Sequence, residues 1–514
     1  MATLDQCPAN TPVLVGVGQL TDHWQGGDAA DAPSPQDLRR DAAALALADS
    51  GAADALRVAI DRIVAVRTTP DSIPGAPQPF GRCENPPATV AADLGITDTD
   101  NIYSELGGNQ PQELVNEIAA ALHADETRAT LLVGAESTRA LKAAVRAGLQ
   151  LDWSRSASGP QTDRGYGGPL LSAYEIRNGL GAPTQTYPAF EHALRHRLGN
   201  SRDQHVALMS ELWAGFSQIA AANPHSQFPR ERSETFLSTP SAENYPVADP
   251  YLKWHVAQDA VNQAAAVVMT TVGEARRLGI DPVKWVFLHG HAEAKDGFVT
   301  QRQDLSRSLP IEKVLRLALE TSGKHAADIA LFDIYSCFPC AVLLATEALG
   351  IDWRTRPVTV TGGLPFFGGP GNNYSLHAIA TMTERLRENP GDFGLILANG
   401  GFLSKEAAGV YSTQAPADWK PVSSDPIQRE INAQLLGEPV DEACEMEVST
   451  FTVVYQKGVP TRGYVIGDAP QGRCLARIEK GDAGTLSALL ADDPVGKRAL
   501  IKRVDDTNII GTLR

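Results

Sequence analysis

The sequence predicts an α/β fold with a small all-β unit at its C-terminal end. Three apolar runs, at 329–340, 358–373 and 393–401, each read as a buried strand that ends in an unusual loop. In open α/β sheets, ligands bind beyond the carboxyl ends of strands, so these loops are the first candidates for a site. The second observation is a change of composition. Residues 415–426 are rich in proline, and beyond them short alternating runs replace the strand–helix rhythm.

The middle run is the most informative. Val358-Thr-Val-Thr reads as a strand that stops at Gly362-Gly363, and a loop of glycine and proline leads to Asn372-Asn373. Apolar residues at helical spacing follow from Tyr374 to Met382, and asparagine is a favoured N-cap. Such a loop lets backbone approach a ligand and presents amides at a positive helix end. An ordinary tight connection has the same composition.

The remaining elements follow in order. Residues 12–19 form a short buried strand, and Ser34-Pro35 opens a helix over 38–48. A strand at 62–66 precedes a Pro/Gly-rich stretch at 70–87. Residues 101–111 lead into a helix over 112–123, and 129–137 is a strand. Residues 145–250 lose this alternation, with helices expected at 188–198 and 203–222. His192 and His196 stand at the i, i+4 spacing that can chelate a metal, but no carboxylate or cysteine set accompanies them, so a solvated helix face is expected. The alanine-rich run 251–279 reads as one long helix ending in Arg276-Arg277 and Gly279. A second half begins with the strand 285–291 and weakly echoes the first. In the tail, strands at 446–455, 462–466, 473–478 and 496–504 with a helix at 484–491 predict a small barrel of the oligonucleotide/oligosaccharide-binding (OB) type.

Length and charge bound the function. At 514 residues the chain exceeds one small core. The net charge of −16 disfavours nonspecific nucleic-acid or anionic-membrane binding, since both need positive patches. No apolar run has membrane-spanning length, and no secretory leader is recognisable. Six cysteines in so long a chain are not a disulfide framework, so a cytoplasmic setting is expected.

The motifs in the three loops resemble those of the thiolase superfamily, especially the sterol-carrier-protein-2 (SCP2) type. That family carries His-Asp-Cys-Phe, then Gly-Gly…Gly-His-Pro, then Cys-x-Gly; this chain carries Tyr335-Ser-Cys-Phe338, Gly362-Gly363…Gly368-Gly369-Pro370 and Ala398-Asn-Gly400. Gly134-Ala-Glu-Ser137 matches a further family motif. The resemblance implies a duplicated βαβαβ core in five αβαβα layers with a loop domain. On this reading residues 1–270 are the first half, with the loop domain at about 145–250. Residues 271–413 are the second half, 414–429 a linker, and 430–514 an added β domain.

The resemblance also implies roles, and the reactive residues depart from it. Gly107 falls at the nucleophilic cysteine, Gly369 at the activating histidine and Ala398 at the acid/base cysteine. No cysteine lies between Cys83 and Cys337. Covalent acyl transfer needs a nucleophile beside a base, and neither is in place. Backbone donors at Gly107, Gly108, Gly369 and Gly400, with Asn399, remain as ligand-binding candidates. Tyr335, at the family's histidine, is either a donor to an oxyanion or a packing ring. Cys337 either lines the ligand site or fills space, and Cys337-Phe-Pro-Cys340 lacks the context of a redox or zinc motif. His289 and His291, beyond a buried strand and beside acids, are acid/base candidates or structural histidines; His377 is a third.

The implied ligand is coenzyme A or an acyl-CoA as substrate, with no tightly bound cofactor and no metal. The implied functions are acyltransferase-like or retro-aldol C–C chemistry in lipid metabolism, or, alternatively, non-catalytic binding or a scaffold. A homodimer follows from the resemblance, and a monomer is compatible with it.

Overall fold

The computed structural model describes residues 4–514. Its first sheet has the strand order Pro12–Thr21, Asn262–Thr271, Ala129–Ser137, Arg62–Ala65, Asp100–Tyr103, Thr162–Asp163. The second has the order Phe287–Lys295, Lys405–Ser412, Phe393–Gly400, Leu331–Ile334. In both, two antiparallel pairings lead to a parallel one. The halves are therefore the same unit used twice, as the motif order implied.

Helices cover both faces of both sheets, which is why the strands are apolar along nearly their whole length. Pro35–Asp49 lies on the outside of the first sheet and Leu309–Ser322 on the outside of the second. Gln110–His123 and Tyr374–Glu388 pack on each other between the sheets. Five layers result. The starts follow ordinary chemistry: Ser34 Oγ accepts from the Asp37 amide at 3.1 Å, and Pro35 occupies the first turn.

Three expectations need correction. Residues 251–279 are not one helix: Asn262–Thr271 is a strand, and only Val272–Arg277 is helical. The run Ala264-Ala-Ala-Val-Val-Met favours a helix by propensity, but it is the inner strand of a sheet covered on both faces, and pairing on both edges overrides propensity. The segment 358–361 is not a strand and bends at Val360 and Thr361. Its amides serve Asp333 instead, whose carboxylate accepts from Val360 N at 3.0 Å and Thr361 N at 3.1 Å, while one backbone bond joins Ile334 N to Val358 O. Finally, His192 is fully buried: it stacks on Phe451 with ring centroids 3.9 Å apart and contacts Asp249 at 3.0 Å. The sequence could not show that the tail would cover this helix face.

The tail is a closed five-stranded barrel. Cys444–Gln456 pairs with both Val459–Ala469 and Arg498–Val504; Gly472–Arg477 runs parallel to Thr507–Leu513, and Ala483–Ala491 bridges the third and fourth strands. Its core is separate, built around Met446, Phe451, Val465 and Leu489. Cys444–Gln456 also pairs with Pro246–Ala248, so the segment before the second half is sewn to the barrel. The proline-rich stretch is no loose tether. Trp419 is buried, and the helix Asp425–Asn432 packs on Phe287–Lys295.

Candidate functional site

The three loops and the start of the Gln110–His123 helix meet in the interior. Gly107 has φ +152°, in the region that favours glycine, and its amide donates to Asn372 Oδ1 at 3.1 Å. Asn372 in turn donates to Arg67 O and Ser72 Oγ. Ser375 Oγ donates to Gly108 O at 3.1 Å. The glycine-rich connection of one half thus holds the helix start of the other. Asn373 starts its helix at the expected place but gives no side-chain cap.

A Cβ built at Gly108 would collide with the Tyr335 hydroxyl and would stand 2.5 Å from Asn399 O. One built at Gly400 would collide with Asn109 Oδ1 and lie 3.1 Å from Gly108 N. Tyr335, Asn109, Asn399, Gly107, Gly108 and Gly400 therefore form one close-packed cluster. Cys337 joins it through Asn399, whose Nδ2 approaches Sγ at 3.7 Å and Tyr187 Oη at 3.2 Å. The sequence reading missed Tyr187, which also accepts from the Leu403 amide and stacks on Phe338 at 4.1 Å. No short motif marked it; it comes from the irregular 145–250 stretch.

Two other candidates stand elsewhere. The Gly369 amide donates to Gln258 O at 2.8 Å, and its open side faces Ala257 rather than Gly107. His289 and His291 are held by the 414–422 segment. His289 Nε2 meets Gln414 O at 2.8 Å, and His291 Nε2 accepts from the Val422 amide at 3.4 Å beneath Trp419. Burial pushes both histidines down to about 4. His377 is buried against Gln19, and burial lowers it to about 3.

The electrostatics are those of a dry site. Burial pushes the Cys337 thiol up to about 12, against a lowering by the Tyr187 hydroxyl, and raises the Tyr335 phenol as well. Glu406, directly across the ladder from Asn399, is fully buried with neither carboxyl oxygen hydrogen-bonded. Burial drives its pKa well above the ordinary range; Arg302 opposes this and Asp296 adds to it. Asn109 Oδ1 and Asn399 Oδ1 are likewise unpartnered. These are buried polar atoms without partners beside the cluster. Among the described residues no group of three or more His, Cys, Asp or Glu side chains could hold a metal.

Comparison with solved structures gives the lineage. The chain matches a monomeric SCP2-thiolase-like protein type 1 from Mycobacterium smegmatis with 34% identity and a TM-score of 0.82, over 98% of this chain and 99% of that one. The chain belongs to the SCP2-thiolase-like proteins. Members of the wider superfamily share its fold. An acetyl-CoA acetyltransferase from Syntrophomonas wolfei aligns over 79% of this chain and 100% of its own, at 16% identity and TM-score 0.57. The dimeric peroxisomal thiolase of Saccharomyces cerevisiae aligns over 80% and 99%, at 15% and 0.58. Curated 3-ketoacyl-CoA thiolases of Salmonella are 29% identical over 150 residues, 26% of this chain. That match spans only 33% of the curated relatives' own length. No family model matches the chain. In this SCP2-thiolase-like chain Gly107 and Gly108 lie just ahead of the Gln110–His123 helix, Gly107 beside Asn109 and Gly108 pressed against Tyr335.

Proposed function

We propose that this SCP2-thiolase-like protein binds acyl-CoA thioesters without forming an acyl-enzyme. One observation carries this reading: Gly107, at the family's nucleophile, has φ +152° and a Cβ there would collide with Asn109 Oδ1, so that position has neither a thiol nor room for one. Cys337 is the cluster's sole thiol, and burial keeps it protonated at neutral pH. A second reading, retro-aldol C–C cleavage in lipid metabolism, is favoured by the Tyr335 hydroxyl, whose surroundings supply burial and neighbouring charge but no hydrogen bond. That phenol is free to donate to a thioester oxyanion.

The accompanying traits are part of the same proposal. The free edge of Asp100–Tyr103 is taken by Thr162–Asp163, which supports a monomer. The five-strand order with a helix between the third and fourth strands supports an OB-type barrel in the tail. The six unpaired thiols support a reducing, cytoplasmic compartment. No helix is long and apolar enough to cross a membrane among the described residues.

The test is a panel of CoA, acyl-CoAs and β-hydroxyacyl-CoAs, with binding measured by calorimetry and products by mass spectrometry. Binding without turnover supports the first reading, and a released aldehyde or ketone supports the second. Thiolysis of acetoacetyl-CoA at about 1 per second or faster, or an acylated cysteine, overturns both.

A further inference from the structure

Two thiols in the barrel take no part in the cluster around Tyr335. Cys444 opens the first barrel strand, Cys444–Gln456, and Cys474 lies in the third, Gly472–Arg477. Val459–Ala469 runs antiparallel to both, with Glu447 opposite Asp468 and Asp468 opposite Arg473. That register sets the starts of the first and third strands at the same end of the barrel. Just ahead of the first strand, the Val440 amide donates to Arg473 O at 2.8 Å. Asn508 Nδ2 spans the same junction, donating to Val440 O at 3.1 Å and to Cys474 Sγ at 3.6 Å. Cys444 packs on the barrel core, of which Cys474 is a member, and the two thiols lie within hydrogen-bonding reach of each other.

The pair is asymmetric. Cys474 is fully buried, whereas Cys444 is partly exposed. The Cys474 thiol donates to the Cys444 sulfur and holds Cys444 below the ordinary thiol value; the same contact, with burial, pushes Cys474 up. A reachable sulfur with thiolate character beside a second thiol is the arrangement that closes disulfides: the first sulfur attacks the oxidant and the second resolves the product. The other close pair in sequence, Cys337 and Cys340, lacks the first half of it, because both are buried and burial raises both.

We propose that Cys444 and Cys474 are a reversible dithiol pair that a hydroperoxide oxidises to a disulfide. The Cys444 sulfur attacks one peroxide oxygen, the O–O bond breaks, and the other oxygen takes a proton and leaves as water or an alcohol. Cys444 is then a sulfenic acid. The Cys474 sulfur attacks it, the S–O bond breaks, and the hydroxyl leaves as water with the Cys474 proton. The two sulfurs have then given two electrons to the peroxide. The new bond ties the start of the first strand to the third, beside the junction that Val440 and Asn508 hold by hydrogen bonds. The pair is independent of the cluster around Tyr335.

The test treats the reduced, folded chain with a small excess of hydrogen peroxide, alkylates the remaining thiols in urea and maps the peptides without reductant. One linked pair, Cys444 to Cys474, is expected, released by dithiothreitol, with Cys337 and Cys340 still reduced. Cys474→Ser is expected to leave Cys444 as a sulfenic acid that dimedone traps. Cys444→Ser is expected to slow oxidation of Cys474 by about tenfold or more. No link, a link between Cys337 and Cys340 in its place, or unchanged oxidation of Cys474 in a folded Cys444→Ser protein overturns the proposal. If neither variant folds, the peptide link in the native chain decides.

Discussion

The hydroxyl of Tyr335 occupies the place a β-carbon on Gly108 would take, so the two residues compete for one volume. A methyl group added at 108 meets both the ring and the backbone oxygen of Asn399, the latter at 2.5 Å. Gly108→Ala is expected to destabilise the protein by about 1–3 kcal/mol, the usual cost of overpacking a core. Urea titration measures it. In a Tyr335→Ala background the same substitution should cost less, keeping only the part due to Asn399 O at 2.5 Å, and equal costs in both backgrounds would show that the ring is not the obstacle.

The thiols of the second half should be chemically silent. Cys337 sits at about 12 and Cys340 is pushed well above its ordinary value, both through burial. At pH 8 the thiolate fraction of Cys337 is about 10⁻⁴, too small for ready alkylation. Peptide mapping after brief iodoacetamide treatment should find both unmodified in the folded protein and modified in urea. Rapid labelling of Cys337 in the native state would contradict the dry site.

Glu406 ties stability to pH. Its folded-state pKa lies above the ordinary 4.5, so between those values the folded chain holds a proton that the unfolded chain releases. Its favourable effect is full below pH 4.5 and is lost as pH rises. Glu406→Gln keeps the shape without the proton. The variant's stability relative to wild type should therefore grow from pH 5 to pH 8, by up to about 1 kcal/mol per unit. His289, His291 and His377 act in the opposite sense. Depressed in the folded state, they stay neutral while the unfolded chain takes up protons, so stability falls as pH drops below 6.5. Chemical unfolding at several pH values checks both signs, and a pH-independent difference for Glu406→Gln would mean the carboxyl is solvated.

The barrel should not be dispensable. Phe451 is fully buried and stacks on His192, and Thr450 Oγ1 donates to Ala189 O in the same helix. Phe451→Ala is expected to cost about 3–5 kcal/mol. The loss should appear in the melting of the whole chain as one transition rather than in a separate barrel transition. Two well-separated calorimetric peaks would instead mean that the barrel folds independently of the core.

The repeated strand–loop–helix units were legible because fully buried strands are apolar without interruption and their ends carry glycine. The positions of Gly107, Tyr335 and Asn399 on such ends brought them together in the reading and in the fold. What failed has a common cause. Asn262–Thr271 is written in alanine because helices press on both its faces, and alanine says helix when read locally. His192 and Arg195 look like a solvated stripe because the strand that buries His192 is more than 200 residues away. Glu406 gave no signal, since a lone acid in the run Lys405-Glu-Ala-Ala reads as surface. His289 and His291 do not stand beyond a strand: they lie inside Phe287–Lys295, and the 414–422 segment covers them.

The pairing of Ala248 with Val454 sets an order of assembly. In vectorial synthesis, Pro246–Ala248 leaves the ribosome about 200 residues before its partner strand, a wait of about 10–40 s at ordinary elongation rates. During that interval the face of Pro183–Arg197 that ends against Phe451 lies open to solvent or to a chaperone. The nascent chain is therefore exposed at its middle until the first strand of the barrel has been made.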